Sequence, residues 1–96
     1  MMKPDILIDG MLSGTGLRDA VNGGYLRADF VGLPPLLAAD IAEWQSKYES
    51  AHFAGFPESL VTRLDKEGLT ILSRVQSELP DKVVGYFSNG KMKRLA

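Results

Sequence analysis

The stretch SGTGLRDAVNGGYL, residues 13–26, concentrates the residue types that could bind a ligand. It combines four glycines with the hydroxyl of Thr15 and the opposite charges of Arg18 and Asp19. Successive backbone amides around residues 15–17, together with Arg18, would suit an anion. This stretch is therefore the candidate binding segment. The candidate binding residues are Thr15, Gly16, Arg18, Asp19 and Tyr25.

The glycine spacing differs from that of established phosphate-binding loops. A P-loop needs a lysine and a hydroxyl residue after its glycines, at the start of a helix. The segment GMLSGTGLRD, residues 10–19, contains no such lysine and opens no amphipathic helix. The dinucleotide-binding glycine pattern is not matched either. Turn formation in a small sheet is the favoured interpretation of these glycines, and ligand binding is the alternative.

The remaining residues give no catalytic pattern. His52, the single histidine, follows Tyr48 by four residues near the end of a predicted helix. There it would pack on the tyrosine and interact favourably with the helix dipole. Ser13, Thr15 and Ser88 are nucleophile types, but no spacing joins them to His52. We expect no catalytic residue, no metal site and no cofactor, and the sequence favours a protein that is not an enzyme.

Composition and charge restrict the protein class. The 96 residues predict a single domain over 1–96, and the absence of cysteine argues against a disulfide-rich secreted scaffold. The apolar run near the N-terminus is too short for a secretory signal or a membrane span. Residues 82–96 carry four basic side chains and no acidic one, at one end of the chain. We expect a cytoplasmic protein that binds neither membrane nor nucleic acid and is a monomer or weak dimer.

Strand patterns occur at both ends of the chain. DILID, residues 5–9, is β-branched and ends at Gly10, and KVVGYFS, residues 82–88, is apolar on both faces, which is typical of a central strand. Asn22-Gly23 predicts a tight type I′ hairpin between strands near 16–21 and 24–28. Residues 90–96 are expected to form a flexible tail.

Two amphipathic helices are predicted in the middle of the chain. The first, over 34–52, aligns Leu37, Ile41, Trp44 and Tyr48 on one stripe. The second, over 57–79, has Gly68 on its apolar stripe, which indicates a close approach to Trp44 or to the sheet. The expected fold is α+β and two-layered: two antiparallel helices pack on one face of a small, mainly antiparallel sheet of three or four strands. The opposite face would be partly open.

Several motifs resemble those of a group of small uncharacterised bacterial proteins. They are SGTGLRDAVNGGYL and VGLPPLL, then W-x-x-x-Y-x-x-A-H over 44–52, LDKEGL over 64–69 and ELPDKVVGYFS over 78–88. Some proteins of this kind look like immunity partners of polymorphic toxins. The resemblance implies a compact bacterial protein and no particular activity.

Three functions remain open from the sequence, and the last in rank is a nucleic-acid role that would use the basic C-terminal end. The first is a non-catalytic protein-binding module of the immunity or regulatory type, which would use the glycine-rich first third and the exposed sheet face. The second is a small-molecule or anion binder, or a minor enzyme, centred on residues 13–26.

Overall fold

A computed structural model describes residues 3–96. Its elements are β1 (Ile6–Asp9), β2 (Leu17–Asp19), α1 (Pro35–Phe53), α2 (Glu58–Glu78), β3 (Val84–Ser88) and β4 (Lys93–Arg94). Both helices pack against a four-stranded mixed sheet, so the predicted α+β architecture is confirmed.

The sheet has the strand order β2-β1-β3-β4. β1 pairs in parallel with β3, and the two outer pairings are antiparallel. The strand predicted at the C-terminal end is therefore central, as its apolar faces indicated. The carboxyl ends of β1 and β3 lie at the same edge, because parallel strands end on the same side of a sheet.

The helices cover one face of this sheet. Leu37, Ile41, Trp44 and Tyr48 are all buried, which confirms the predicted stripe of α1. The Nε1 hydrogen of Trp44 is donated to the Leu64 carbonyl of α2 at 2.9 Å and ties the helices together.

Gly68 is the point at which α2 comes closest to the sheet. A Cβ atom at this position would lie 2.1 Å from Cε1 of Tyr86 on β3. A glycine inside a helix costs about 1 kcal/mol relative to alanine. Here the absence of a side chain at Gly68 lets the Tyr86 ring lie against the helix backbone. The predicted close approach to the sheet is confirmed.

The hairpin of the first third differs from its prediction. Gly23 and Gly24 have positive φ angles and Asn22 does not, so the type I′ turn at Asn22-Gly23 is wrong. The Asp19 carboxylate accepts the N–H groups of Val21 and Asn22, which holds a wider turn. The strand expected over 24–28 is reduced to one bridge, between Arg18 and Tyr25.

The C-terminal end also differs from expectation. Residues 90–96 were expected to form a loose tail, whereas Phe87 pairs with Arg94 and Ser88 with Lys93. A two-residue strand has too little periodicity to be recognised in a sequence.

Candidate functional site

The sheet face opposite the helices carries a mixed apolar and basic surface. In the strand register, Leu7 lies beside Arg18, and Phe87 lies beside Arg94. Paired residues of neighbouring strands point to the same side of a sheet. Within residues 3–96 no helix lies over this side. We call it the open face; it is formed by Leu7, Arg18, Tyr25, Phe87 and Arg94.

Arg18 is fixed at the centre of the open face. Its Nε lies 2.9 Å from Oδ2 of Asp9, a carboxylate with no solvent exposure. Its guanidinium also lies over the Phe87 ring, 5.0 Å from the ring centroid. The side chain is 29% exposed, so it presents a charged, preorganised surface instead of a flexible arm.

Asp9 is held from three sides at the carboxyl end of β1. Besides Arg18, the side-chain amide of Asn89 and the backbone N–H of Met11 donate to its Oδ1. A buried carboxylate is tolerated only when such partners replace water. Its Oδ2 has the ion pair with Arg18 but no hydrogen bond among the described residues, so Asp9 orients Arg18 by its charge.

Tyr25 lies next to this pair. It bridges to Arg18 through the backbone and keeps 36% of its surface exposed. Partial burial raises the pKa of Tyr25 above its ordinary value of 10.0, and the Asp9 charge acts in the same direction. The hydroxyl therefore remains protonated and able to donate at neutral pH.

The other face of the sheet buries a second polar cluster around Asp65. This carboxylate, 3% exposed, accepts hydrogen bonds from the hydroxyls of Tyr48, Tyr86 and Ser88, each at 2.7 Å. Lys91 Nζ lies 4.0 Å from it. Burial raises the pKa of both tyrosines, and strongly so for Tyr86. Because each group already has a partner, we interpret this cluster as structural.

The Asp65 cluster was missed by the sequence analysis. Asp65 lies one residue after Leu64 on α2, on the edge of an apolar stripe, where an acid usually faces water. The signal was available in the strand: Tyr86 and Ser88 alternate onto one face of β3, and both need a buried acceptor.

The predicted binding residues are divided between four places. Arg18 and Tyr25 share the open face, and Asp19 holds the turn described above. Gly16 is buried with a φ angle of 92°, and a Cβ there would lie 2.7 Å from Cγ2 of Ile41. Thr15 lies at the edge of a groove beside α1. Residues 15–19 therefore have different surroundings, and ligand binding by this segment stays a prediction.

His52 lies where the sequence placed it. Its Nε2 is 3.1 Å from the Gly10 carbonyl, and its ring packs against Phe56 with centroids 4.6 Å apart. In the described chain, residues 3–96, no group of three or more His, Asp or Glu side chains is arranged to hold a metal ion. Nor does any helix of that part of the chain have the length and apolarity needed to cross a membrane.

Comparison with known proteins gave no relative. No family model matches the chain, and neither the curated proteins nor the solved structures contain a match. The resemblance to small bacterial proteins therefore remains a prediction, and the function is argued from geometry alone.

Proposed function

We propose that this protein is a protein-binding module whose open face receives an apolar segment of a partner that bears an acidic side chain. The observation that carries the proposal is a sheet face without a helix over it, on which half-buried Leu7 and Phe87 lie beside the exposed Tyr25 and two arginines. Aromatic residues and arginine are the types enriched at the centres of protein interfaces.

Charge selects the kind of partner. Arg94 is exposed beside Phe87, and its Nε donates to the backbone carbonyl of Ala96 rather than to a side-chain carboxylate. The carboxylate next to Arg18, that of Asp9, is buried and pairs with it. Arg94 is therefore the charge of this face that an acidic side chain of a partner would complement.

A polyanion fits this face less well. Nucleic-acid binding depends on neutralising several phosphates with lysines and arginines. Arg18 is already paired with Asp9, and the surface between the arginines is apolar. An immunity or regulatory partner, the class predicted from the sequence, is the corresponding biological role.

The test uses a displayed library of random peptides selected on the immobilised protein. We expect the enriched peptides to combine an acidic residue with aromatic or aliphatic ones. Their binding should be lost in Arg94→Glu and Tyr25→Ala. The controls are Arg63→Glu, which makes the same change on α2, and Phe53→Ala, which removes an exposed aromatic ring from α1.

Two results would contradict the proposal. One is a set of enriched peptides that bind Arg94→Glu as well as the wild type. The other is salt-dependent binding of a labelled single-stranded RNA that Arg94→Glu abolishes, since the face would then belong to a nucleic-acid-binding protein. Circular dichroism of each variant verifies that the fold is retained.

A further inference from the structure

A groove of about 460 Å³ lies beside α1, apart from the open face. One wall is α1 itself, and the other is formed by the segments around residues 14–15 and 27–29. None of the five open-face residues lines it. Its volume lies within the range of small-ligand pockets, about 300–1,000 Å³.

The floor of the groove is apolar. Ala38, Ile41 and Ala42 line it from α1, and Ala28 faces them from the opposite segment. Because Ala38 and Ala42 place small side chains on successive turns of α1, space remains between the helix and the opposite segment. An apolar body could bury itself between them.

Gln45 lines this groove and carries an unpaired acceptor atom. The residue is 4% exposed, and its side-chain N–H donates to the Met11 carbonyl. Its Oε1 has no donor among the described residues. A buried polar atom without a partner is unusual in a folded protein, and a bound water or a ligand group can supply its donor.

The other polar groups of the groove are also mainly acceptors. The hydroxyl hydrogen of Thr15 is directed to the Leu26 carbonyl at 2.5 Å, so its oxygen can only accept from a ligand. Glu49 uses Oε2 to accept the Ser13 N–H at 2.8 Å, which leaves its Oε1 for a ligand. Arg27 and Asp29 neutralise each other at 2.7 Å.

We propose that this groove binds a small organic amine. The ammonium group would donate to Glu49 and Gln45, while the apolar body would lie on Ala38 and Ala42. The negative charge of Glu49 opposes an anion, so the expected ligand has the sign opposite to the one that the glycine-rich segment suggested. The proposal is independent of the open face.

The test compares two probes of similar shape, tryptamine and indole-3-acetate, by titration of the amide NMR spectrum. We expect tryptamine to shift the signals of Gly14, Thr15 and Ser46 with saturation. Indole-3-acetate should bind at least about tenfold more weakly, and Glu49→Gln should weaken tryptamine by about tenfold, the loss of one charge-assisted hydrogen bond.

A pair of alanine variants locates the binding. Ala42→Leu fills the groove and should abolish the tryptamine shifts, whereas Ala39→Leu, exposed on α1 outside the groove, should leave them unchanged. Equal affinity for amine and acid, or unchanged binding in Ala42→Leu, would overturn the proposal. So would tighter binding of a short lysine-containing peptide than of tryptamine, since the occupant would then be a polypeptide.

Discussion

The two faces of the sheet differ in the solvent exposure of their polar side chains. On the helix face, the carboxylate of Asp65 is fully enclosed and receives three hydroxyl donors at hydrogen-bond distance. On the open face, Arg18 and Tyr25 keep contact with solvent, although Arg18 is also oriented by Asp9. Both faces contain a buried acid, but only the open face leaves donors for another molecule.

This difference separates structural from recognition roles without an activity assay. A buried polar network whose members are all satisfied stabilises one arrangement of the core and has nothing left to offer a ligand. A charged group held rigidly at the surface has already lost its side-chain entropy, so it binds a partner at lower cost. Changes on the helix face should therefore affect folding, and changes of the exposed open-face side chains Tyr25 and Arg94 should affect binding.

The largest effect is expected from Asp65→Ala. It leaves the hydroxyls of Tyr48, Tyr86 and Ser88 buried without their acceptor, and we expect a loss of about 3–5 kcal/mol in the free energy of unfolding. Urea denaturation followed by circular dichroism measures it. Asp40→Ala, which removes an exposed ion pair with Arg74, is the control and should cost less than about 1 kcal/mol. Equal effects in the two variants would remove the distinction.

A smaller loss is expected from Arg18→Met. The change leaves the Asp9 carboxylate buried without its cation, which should cost about 2 kcal/mol, less than for a fully buried pair because Arg18 is partly exposed. The double variant Asp9→Asn/Arg18→Met should recover most of that loss, because asparagine carries no charge. A double variant less stable than Arg18→Met would show that the unpaired charge of Asp9 does not cause the loss of stability.

The pH dependence of stability should show that the two tyrosines of the helix face are enclosed. Because burial raises the pKa of Tyr48 and Tyr86 above 10.0, these residues stay protonated in the folded protein while the unfolded chain ionises. The stability that the protonated tyrosines contribute is present below pH 10 and declines as the pH rises above it, by about 1.4 kcal/mol per pH unit for a tyrosine that is protonated only in the folded protein. Urea denaturation between pH 9 and 11 should show this decline.

The third tyrosine gives the internal control. Tyr25 is exposed enough to ionise without unfolding, with a raised pKa. An alkaline titration followed by ultraviolet absorbance should show one tyrosine ionising in the folded protein and two on unfolding. Tyr25→Phe should remove the first step only. If the first step persists in Tyr25→Phe, Tyr48 or Tyr86 ionises in the folded protein, and the expected difference between the two faces is contradicted.

The smallest effect on stability is expected from Arg94→Glu. Arg94 is exposed and donates only to a nearby backbone carbonyl, so its replacement should change the free energy of unfolding by less than about 0.5 kcal/mol. Binding of the peptides selected on the open face should nevertheless be lost. A large loss of stability would mean that Arg94 supports the fold, and the binding result could no longer be assigned to the face.

The helices were predictable because their evidence is local and repeated. The stripe through Trp44 and Tyr48 covers several turns, and each position gives the same indication of which side is buried. The β2 hairpin was predicted less well, since Asn22-Gly23 indicates a turn but does not determine its length. There the Asp19 carboxylate, which binds two amides of the turn, decided the geometry.

The candidate sites could be predicted only in part. Arg18 and Tyr25 were chosen because they lie in a glycine-rich segment, and the structure brings them together through β2 pairing. Their neighbour Phe87 comes from the opposite end of the chain, and no local pattern joins residues so far apart. The same is true of Asp65 and Ser88, whose hydrogen bond depends on how α2 lies over β3.

By itself, the sequence determined two apolar helical stripes, a short β-layer and the residue types that border it, because periodic burial is recorded at intervals of a few residues. Tertiary structure alone decided that β1 and β3 run in parallel and which charges are enclosed and which remain accessible. Those outcomes depend on pairing and packing between distant segments, where the environment of a carboxylate or guanidinium is set by neighbours that its own stretch of chain does not contain.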